Sequence, residues 1–119
     1  MSQLAAKVKV ERAGTDVVVT FSYLNEPTLP PVSRIMFRRD IPGREPESYC
    51  VLRSPDDRPI DIGGRWVYGT KVQGLVLDAC PNLVPGHYRA SVMVGGGHGT
   101  RYFEYLADGR IVPGWGDGD

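Results

Sequence analysis

The stretch from residue 83 to residue 106 is the feature that most constrains the fold of this chain. From Tyr88 to Val94 apolar and polar side chains alternate with the period of two that a half-buried β-strand requires. The glycine-rich run GGGHG at 95–99 then interrupts the alternation, and glycine adopts the positive φ angles of a chain reversal without steric cost. Alternation resumes in RYFEYL, so the stretch predicts a β-hairpin.

Short strand-like segments fill the rest of the chain, separated by Gly, Pro and Asp. AAKVKVERAG is typical of an opening edge strand, DVVVTFSYL of a central strand, and SYCVLRS, RWVYGT and KVQGLVLDAC of further short strands. In SRIMFRRD the alternation places Ile35 and Phe37 inward and Arg34, Met36 and Arg38 outward. Apolar residues do not recur at helical spacing over more than about two turns, so no helix is predicted.

The length and the spacing of these segments predict one all-β domain. A chain of 119 residues is long enough for one core and too short for two ordinary domains. Strand signals recur at the interval of roughly 8 to 12 residues that is seen in sandwiches and barrels. We predict a β-sandwich over residues 1–112, followed by a flexible tail rich in Gly and Asp at 113–119.

The segment LVPGHYRASV carries a resemblance to known domains. It looks like the part of immunoglobulin-like and fibronectin type III domains in which a turn enters a strand through a corner tyrosine. The resemblance implies that the Tyr88 hydroxyl forms hydrogen bonds with nearby backbone groups. It also implies that the fold is an immunoglobulin-like β-sandwich of about seven to nine antiparallel strands. Prealbumin-like sandwiches have a similar PG-x-Y entry and are the alternative. Cys80 precedes Tyr88, which excludes an antibody-type core disulfide.

The two cysteines allow two interpretations. Cys50 and Cys80 form an even pair, which an oxidising compartment could join as a disulfide. They could equally be two partly buried thiols, because pairing depends on the Cα separation, which is usually about 4.4 to 6.8 Å in a disulfide. The sequence does not reveal that distance.

A second resemblance covers residues 80–112: a cysteine, PG-x-Y at the head of a strand, an aromatic-rich strand and a polar turn. This arrangement is similar to small periplasmic lipoproteins proposed as immunity proteins for type VI secretion effectors. It implies a protein that binds and inhibits a cognate antibacterial effector, as the mature part of a lipoprotein. The alternative function is a structural, accessory or adhesion-type β-sandwich module of the cell envelope.

The N-terminal residues bear on the location of the protein. MSQLAAKVKV has no apolar stretch of the kind found in secretory signals. The expected location is therefore the periplasm if an export signal has been removed, and the cytoplasm otherwise. No apolar run approaches the roughly 20 residues that span a bilayer, so no transmembrane segment is predicted.

The charge balance bears on the partner. Fourteen basic and fourteen acidic side chains give no basic excess, which argues against nucleic acid. We expect a protein partner such as a secreted toxin or effector. The oligomeric state stays open, since the sequence does not determine whether the chain dimerises through an open sheet edge.

No recognisable motif predicts catalysis, a metal site or a cofactor. Neither His87 nor His98 lies at metal-ligand spacing from another residue that could bind a metal. GGGHGT lacks the lysine of a phosphate loop and falls between two strands, and no G-x-S-x-G elbow is present. We therefore expect a protein that is not an enzyme and that carries neither metal nor cofactor.

Binding is the remaining class of function, and five residues are candidate partner contacts: Arg38, Arg39, His98, Tyr102 and Trp115. Arg, Tyr and Trp dominate interface hot spots when they are buried by a partner, and we place His98 at the tip of the hairpin. Tyr102 could instead lie on the second face of its own sheet, and Trp115 could fold back onto the domain.

Overall fold

The computed structural model describes residues 4–114. Over this range the chain forms only β-strands: β1 (Leu4–Ala13), β2 (Asp16–Tyr23), β3 (Val32–Asp40), β4 (Glu47–Arg53), β5 (Arg65–Val67), β6 (Val76–Asp78), β7 (Gly86–Val94), β8 (Gly97–Tyr105) and β9 (Ile111–Pro113). The all-β prediction is confirmed. Within the same residues no helix is long and apolar enough to cross a membrane.

The strands form one sheet in the order β5-β2-β1-β8-β7-β3-β4-β6, with β9 paired to β8. This sheet curls so that the inner sides of β1 and β2 share a core with those of β3, β4, β7 and β8. The compact all-strand fold is consistent with the β-sandwich, immunoglobulin-like class. Because a single curled sheet supplies both layers, they are joined through the β1–β8 pair.

Two details of the strand prediction are wrong, and both concern β1. Leu4 and Ala5 pair in parallel with Gly97 and His98, so the strands are not all antiparallel. The rest of β1 pairs antiparallel with β2, which makes β1 an interior strand and not the predicted edge. Long-range pairing of the chain's two ends leaves no mark in the alternation of either strand.

The core is built by the period-two alternation of each strand. Its largest fully buried side chains include Tyr88, Phe37, Phe103 and Ile35. The Phe37 ring centroid lies 5.8 Å from that of Phe103 and 6.4 Å from that of Trp66, which joins the two layers. Since the inward residues are fixed by this packing, their neighbours in sequence point to the opposite side of the sheet.

Side-chain hydrogen bonds of Tyr88 and one disulfide link loops to the edge of the core. The Tyr88 hydroxyl donates to the Val84 carbonyl oxygen at 2.6 Å and accepts from the Val84 N–H at 3.1 Å. Burial raises the pKa of Tyr88 to about 12. Cys50 and Cys80 form a disulfide with a Cα separation of 4.3 Å, which joins β4 to the chain that follows β6.

Pairing near the C-terminus extends past residue 112. Pro113 is the register partner of Phe103, and the Gly114 N–H donates to the Tyr102 carbonyl oxygen at 2.9 Å. The predicted tail at 113–119 therefore begins within paired chain. Its remaining residues, 115–119, lie outside the described residues.

Candidate functional site

The outward side of β3, β7 and β8 forms an exposed surface that we call the front face. The register brings its residues into three rows across the strands, and each row contains one residue from each strand. The rows are Arg34, Met93 and His98; Met36, Ser91 and Thr100; and Arg38, Arg89 and Tyr102. Their neighbours in sequence point into the core, which holds the surface on a packed frame.

A shallow depression of about 460 Å³ lies on the front face. Its lining comprises Ser33, Arg34, Met36, Arg38, Asp57, Ser91, Met93, His98 and Thr100. Met93 is 44% exposed, which is a high fraction for a large apolar side chain on a sheet. The Arg38 Nε lies 3.2 Å from the Met36 Sδ, so guanidinium and thioether groups are in contact. The depression therefore combines flexible apolar groups with cations.

Some arginines of this layer are neutralised by carboxylates. Arg89 donates to both carboxylate oxygens of Asp40, at 2.5 and 3.1 Å, and its guanidinium lies 5.1 Å from the centroid of the Tyr102 ring. The hydrogen bond with Asp40 raises the pKa of Arg89 above its ordinary value. Beside the front face, Arg53 on β4 pairs with Asp78 on β6 at 2.6 Å.

Arg34 and Arg38 differ from these arginines. Among residues 4–114, neither arginine makes an ion pair, and both are exposed. An arginine presents a planar fork of N–H donors that matches a carboxylate or a phosphate. Among the described residues, these two arginines therefore supply positive charge to the depression, whose one lining carboxylate, Asp57, makes no ion pair with either of them.

The predicted contact residues do not all share one surface. Arg38, His98 and Tyr102 lie on the front face. Arg39 follows Arg38 directly and points to the opposite side, where its Nη2 lies 3.3 Å from the Pro85 carbonyl oxygen. A strand turns successive side chains to opposite faces, so Arg38 and Arg39 cannot serve one flat interface. Trp115 lies outside the described residues.

His98 is not at the hairpin tip, and that placement was wrong. Val94 pairs with Gly97, so the turn consists of Gly95 and Gly96, and Gly96 has a φ of +85°. A two-residue loop suffices for a hairpin, and the following glycines return to extended backbone. His98 consequently lies within β8, opposite Met93 on one side and Ala5 on the other.

Seven of the nine lining residues were not among the candidate contacts, and Arg34, Met36 and Met93 are the three of them that carry its positive charge and apolar surface. The alternation in β3 and β7 does place all three outward, so the signal was present in the sequence. Sequence alone did not show that β3 and β7 are neighbours, and only this pairing sets Arg34 beside Met93.

The chain matches no known family. No protein-family model, no curated protein and no solved structure gives a significant match. Over residues 4–114 no group of three or more His, Cys, Asp or Glu residues is placed to hold a metal ion. Any functional conclusion must therefore come from the surfaces of the protein itself.

Proposed function

We propose that this protein is a binding protein whose front face docks on a protein partner, and that it acts as an immunity protein for an antibacterial type VI secretion effector. The observation that carries the proposal is the depression in which two arginines without an ion pair, Arg34 and Arg38, flank Met36 and Met93. Arginine is enriched at interface hot spots, and methionine adapts its shape to an apolar partner surface.

The chemistry of the front face defines the partner surface that fits it. The partner should present carboxylates spaced around an apolar side chain that enters the depression between the methionines. The oppositely charged groups would steer association and fix the register of docking. Complementary charge and a preorganised surface both favour tight docking on an effector, and the packed core below the face supplies the frame.

The disulfide supports the location proposed with this function. Cys50 is 1% exposed, and its bond to Cys80 closes a loop with a sequence separation of 30. Disulfides persist in oxidising compartments such as the periplasm. We therefore place the protein in the periplasm as part of the same proposal.

The pairing order supports the finer resemblance to immunoglobulin-like and fibronectin type III domains. If β4 and β6, which extend the sheet beyond β3, are set aside, β1, β2 and β5 take the places of strands A, B and E, and β3, β7 and β8 those of C, F and G. Tyr88 then lies near the start of strand F, where the corner tyrosine of this class occurs. We propose that the fold belongs to this group.

The test is a pull-down from a lysate of the source organism, with a matched pair of charge-reversal variants as bait. R34E/R38E reverses two exposed arginines on the front face, and K7E/K9E reverses two exposed lysines on β1, so both change the net charge by the same amount. We expect one stoichiometric partner with the wild-type protein and with K7E/K9E. With R34E/R38E the affinity should fall by about 100-fold, because two hot-spot charges become repulsive.

The captured partner then decides between immunity and other forms of binding. Expressed alone, an effector should arrest bacterial growth, and co-expression of the wild-type protein, but not of R34E/R38E, should restore growth. Equal capture by both variants would reject the front face as the interface. Capture of envelope material without a toxic partner would reject the immunity function and favour the accessory module.

A further inference from the structure

A groove of about 760 Å³ runs between β1 and the β8–β9 pair, and we call it the β1 groove. It forms because β1 pairs with β8 only through Leu4 and Ala5, after which β1 continues along β2. The other wall is β9, which pairs with β8 from Phe103 to Tyr105. The lining residues are Lys7, Lys9, Val10, Glu11, Arg12, Arg101, Arg110, Ile111, Val112 and Pro113.

Positive charge dominates the β1 groove. Five of its lining residues are Lys or Arg; Glu11 is the one carboxylate among them, and Arg110 pairs with Asp108 beside the groove. Lys7 and Lys9 are exposed on the outward side of β1, because Val8 and Val10 point into the core. Two residues of extended strand separate their Cα atoms by roughly 7 Å. Two cations at successive outward positions suit two successive anionic groups of a ligand, and Glu11 at the next outward position limits the row to two.

Arg12 is held in position at one end of the groove. Its Nε donates to the Gly14 carbonyl oxygen at 2.9 Å, and its Nη1 donates to the Asp108 carbonyl oxygen at 3.1 Å. A Cβ at position 109 would overlap this guanidinium, so Gly109 allows the close approach. Both acceptors are neutral carbonyl groups, so Arg12 is ordered while its charge remains available to a ligand.

The apolar part of the groove is aliphatic. Ile111, Val112 and Pro113 contribute to the lining, and Val112 is 42% exposed. None of the lining residues is aromatic. Single-stranded nucleic acids are generally held by bases that stack on aromatic side chains. A polysaccharide would therefore be held here through its anionic groups, by the cations of the groove, and not by ring stacking.

We infer that the β1 groove binds a linear acidic polysaccharide, with Lys7 and Lys9 contacting successive anionic groups and Arg12 closing one end. The β1 groove shares no lining residue with the front-face depression. Binding here is therefore independent of the function proposed for the front face, and the two ligands can be tested separately.

The experiment measures binding of fluorescently labelled polysaccharides by anisotropy at low and at physiological salt. Heparin presents sulfates, polygalacturonate presents carboxylates, and dextran presents neither. We expect binding to one or both acidic chains, weakening as salt rises, and none to dextran. Binding to heparin alone assigns the groove to sulfated chains, and binding to polygalacturonate alone assigns it to carboxylated chains.

The same matched variants locate the site. K7E/K9E should lower the affinity for the acidic chain by at least about tenfold, since two attractive charges become repulsive. R34E/R38E, with the same net charge, should stay within about twofold of wild type. Circular dichroism and urea unfolding establish that both variants are folded before they are compared.

Three results would overturn the inference. Equal losses in the two variants would mean that the affinity follows net charge and not the groove. Equal binding of dextran would remove the role of the cations. Tighter binding of a single-stranded oligonucleotide or of polyglutamate than of either acidic polysaccharide would assign the groove to another class of ligand.

Discussion

The front face and the β1 groove are both basic, but they arrange their charge differently. On the front face, arginines from neighbouring strands surround Met36 and Met93, and Asp40 neutralises Arg89. In the groove, cations come from β1, from β8 and from the turn before β9, beside an aliphatic wall. The first surface matches a compact partner with an apolar projection, and the second matches an extended chain with repeated charge.

The difference shows that net charge says little about local surface. The whole chain has a formal net charge of zero, and we used this balance to argue against nucleic acid. Exposed acidic residues are concentrated in the loops around β4: Glu45, Glu47, Asp56, Asp57 and Asp61. Cations are left in excess on the β1 side, so a balanced composition does not exclude an anionic ligand. That nucleic acid is not a ligand stays a prediction.

Loss of the disulfide should have the largest effect on stability and should act on the front-face layer first. Replacing Cys50 and Cys80 with Ala should lower the free energy of unfolding by about 3 to 4 kcal/mol, the value expected for a closed loop of this length. Urea denaturation measures the change, with reduced wild-type protein as the control. Front-face binding should weaken under mild denaturant while groove binding persists. Equal stability of the variant would contradict the predicted role of the disulfide.

Gly99→Ala should separate β1 from β8, the pair of strands that joins the two layers. A Cβ at this position would overlap the Ala6 carbonyl oxygen and would lie 2.9 Å from the Ala6 carbonyl carbon, so β1 must move away from β8. We expect a loss of about 2 to 3 kcal/mol in unfolding free energy, and weaker groove binding. The neighbouring exposed variant His98→Ala is the control and should change stability by less than about 0.5 kcal/mol. Equal unfolding midpoints for the two variants would show that the β1–β8 contact tolerates the added methyl group.

Tyr88→Phe should have an intermediate effect on the free energy of unfolding, because Tyr88 lies in the core. It removes the hydroxyl that bonds both backbone groups of Val84, at a cost of about 1 to 2 kcal/mol. The tyrosine also predicts alkaline behaviour. An unfolded tyrosine ionises near pH 10, whereas burial raises the pKa of Tyr88 to about 12. Between these values the unfolded state binds fewer protons, so stability falls as the pH rises.

The fall in stability at alkaline pH distinguishes the contribution of Tyr88 from that of Tyr68. Burial also raises the pKa of Tyr68, whose hydroxyl donates to the Pro81 carbonyl oxygen at 2.7 Å. Tyr88→Phe should therefore reduce, but not abolish, the fall in stability between about pH 10 and pH 12. Urea midpoints measured at several pH values test this. An unchanged slope in the variant would show that Tyr88 makes no contribution to it.

Arg110→Gln should have the smallest effect, confined to the groove. Arg110 pairs with Asp108 at 2.7 Å, but both side chains are largely exposed, and exposed pairs contribute little to stability. The thermal midpoint should match that of wild type. Affinity for an acidic polysaccharide should fall by about two- to threefold, because one of several cations is lost. A large loss of thermal stability would show that the pair is structural.

The sequence alone determined the strands and their inward sides. The inward residues of β3 and β7, such as Phe37 and Val92, follow from alternation, since the period of two is a local property of extended backbone. The tight turn of the β7–β8 hairpin follows from its glycines, although its length was overestimated and His98 was misplaced as a result.

Only the tertiary structure decided which outward residues meet. The parallel pairing of Leu4 and Ala5 with β8 joins the two ends of the chain and makes β1 an interior strand, and no local pattern encodes such a contact. The same pairing sets Lys7 and Lys9 opposite the wall formed by β9, and the β3–β7 pair sets Arg34 beside Met93. Alternation fixes the face on which a side chain lies, whereas its neighbours depend on strand order, which arises from packing between distant segments.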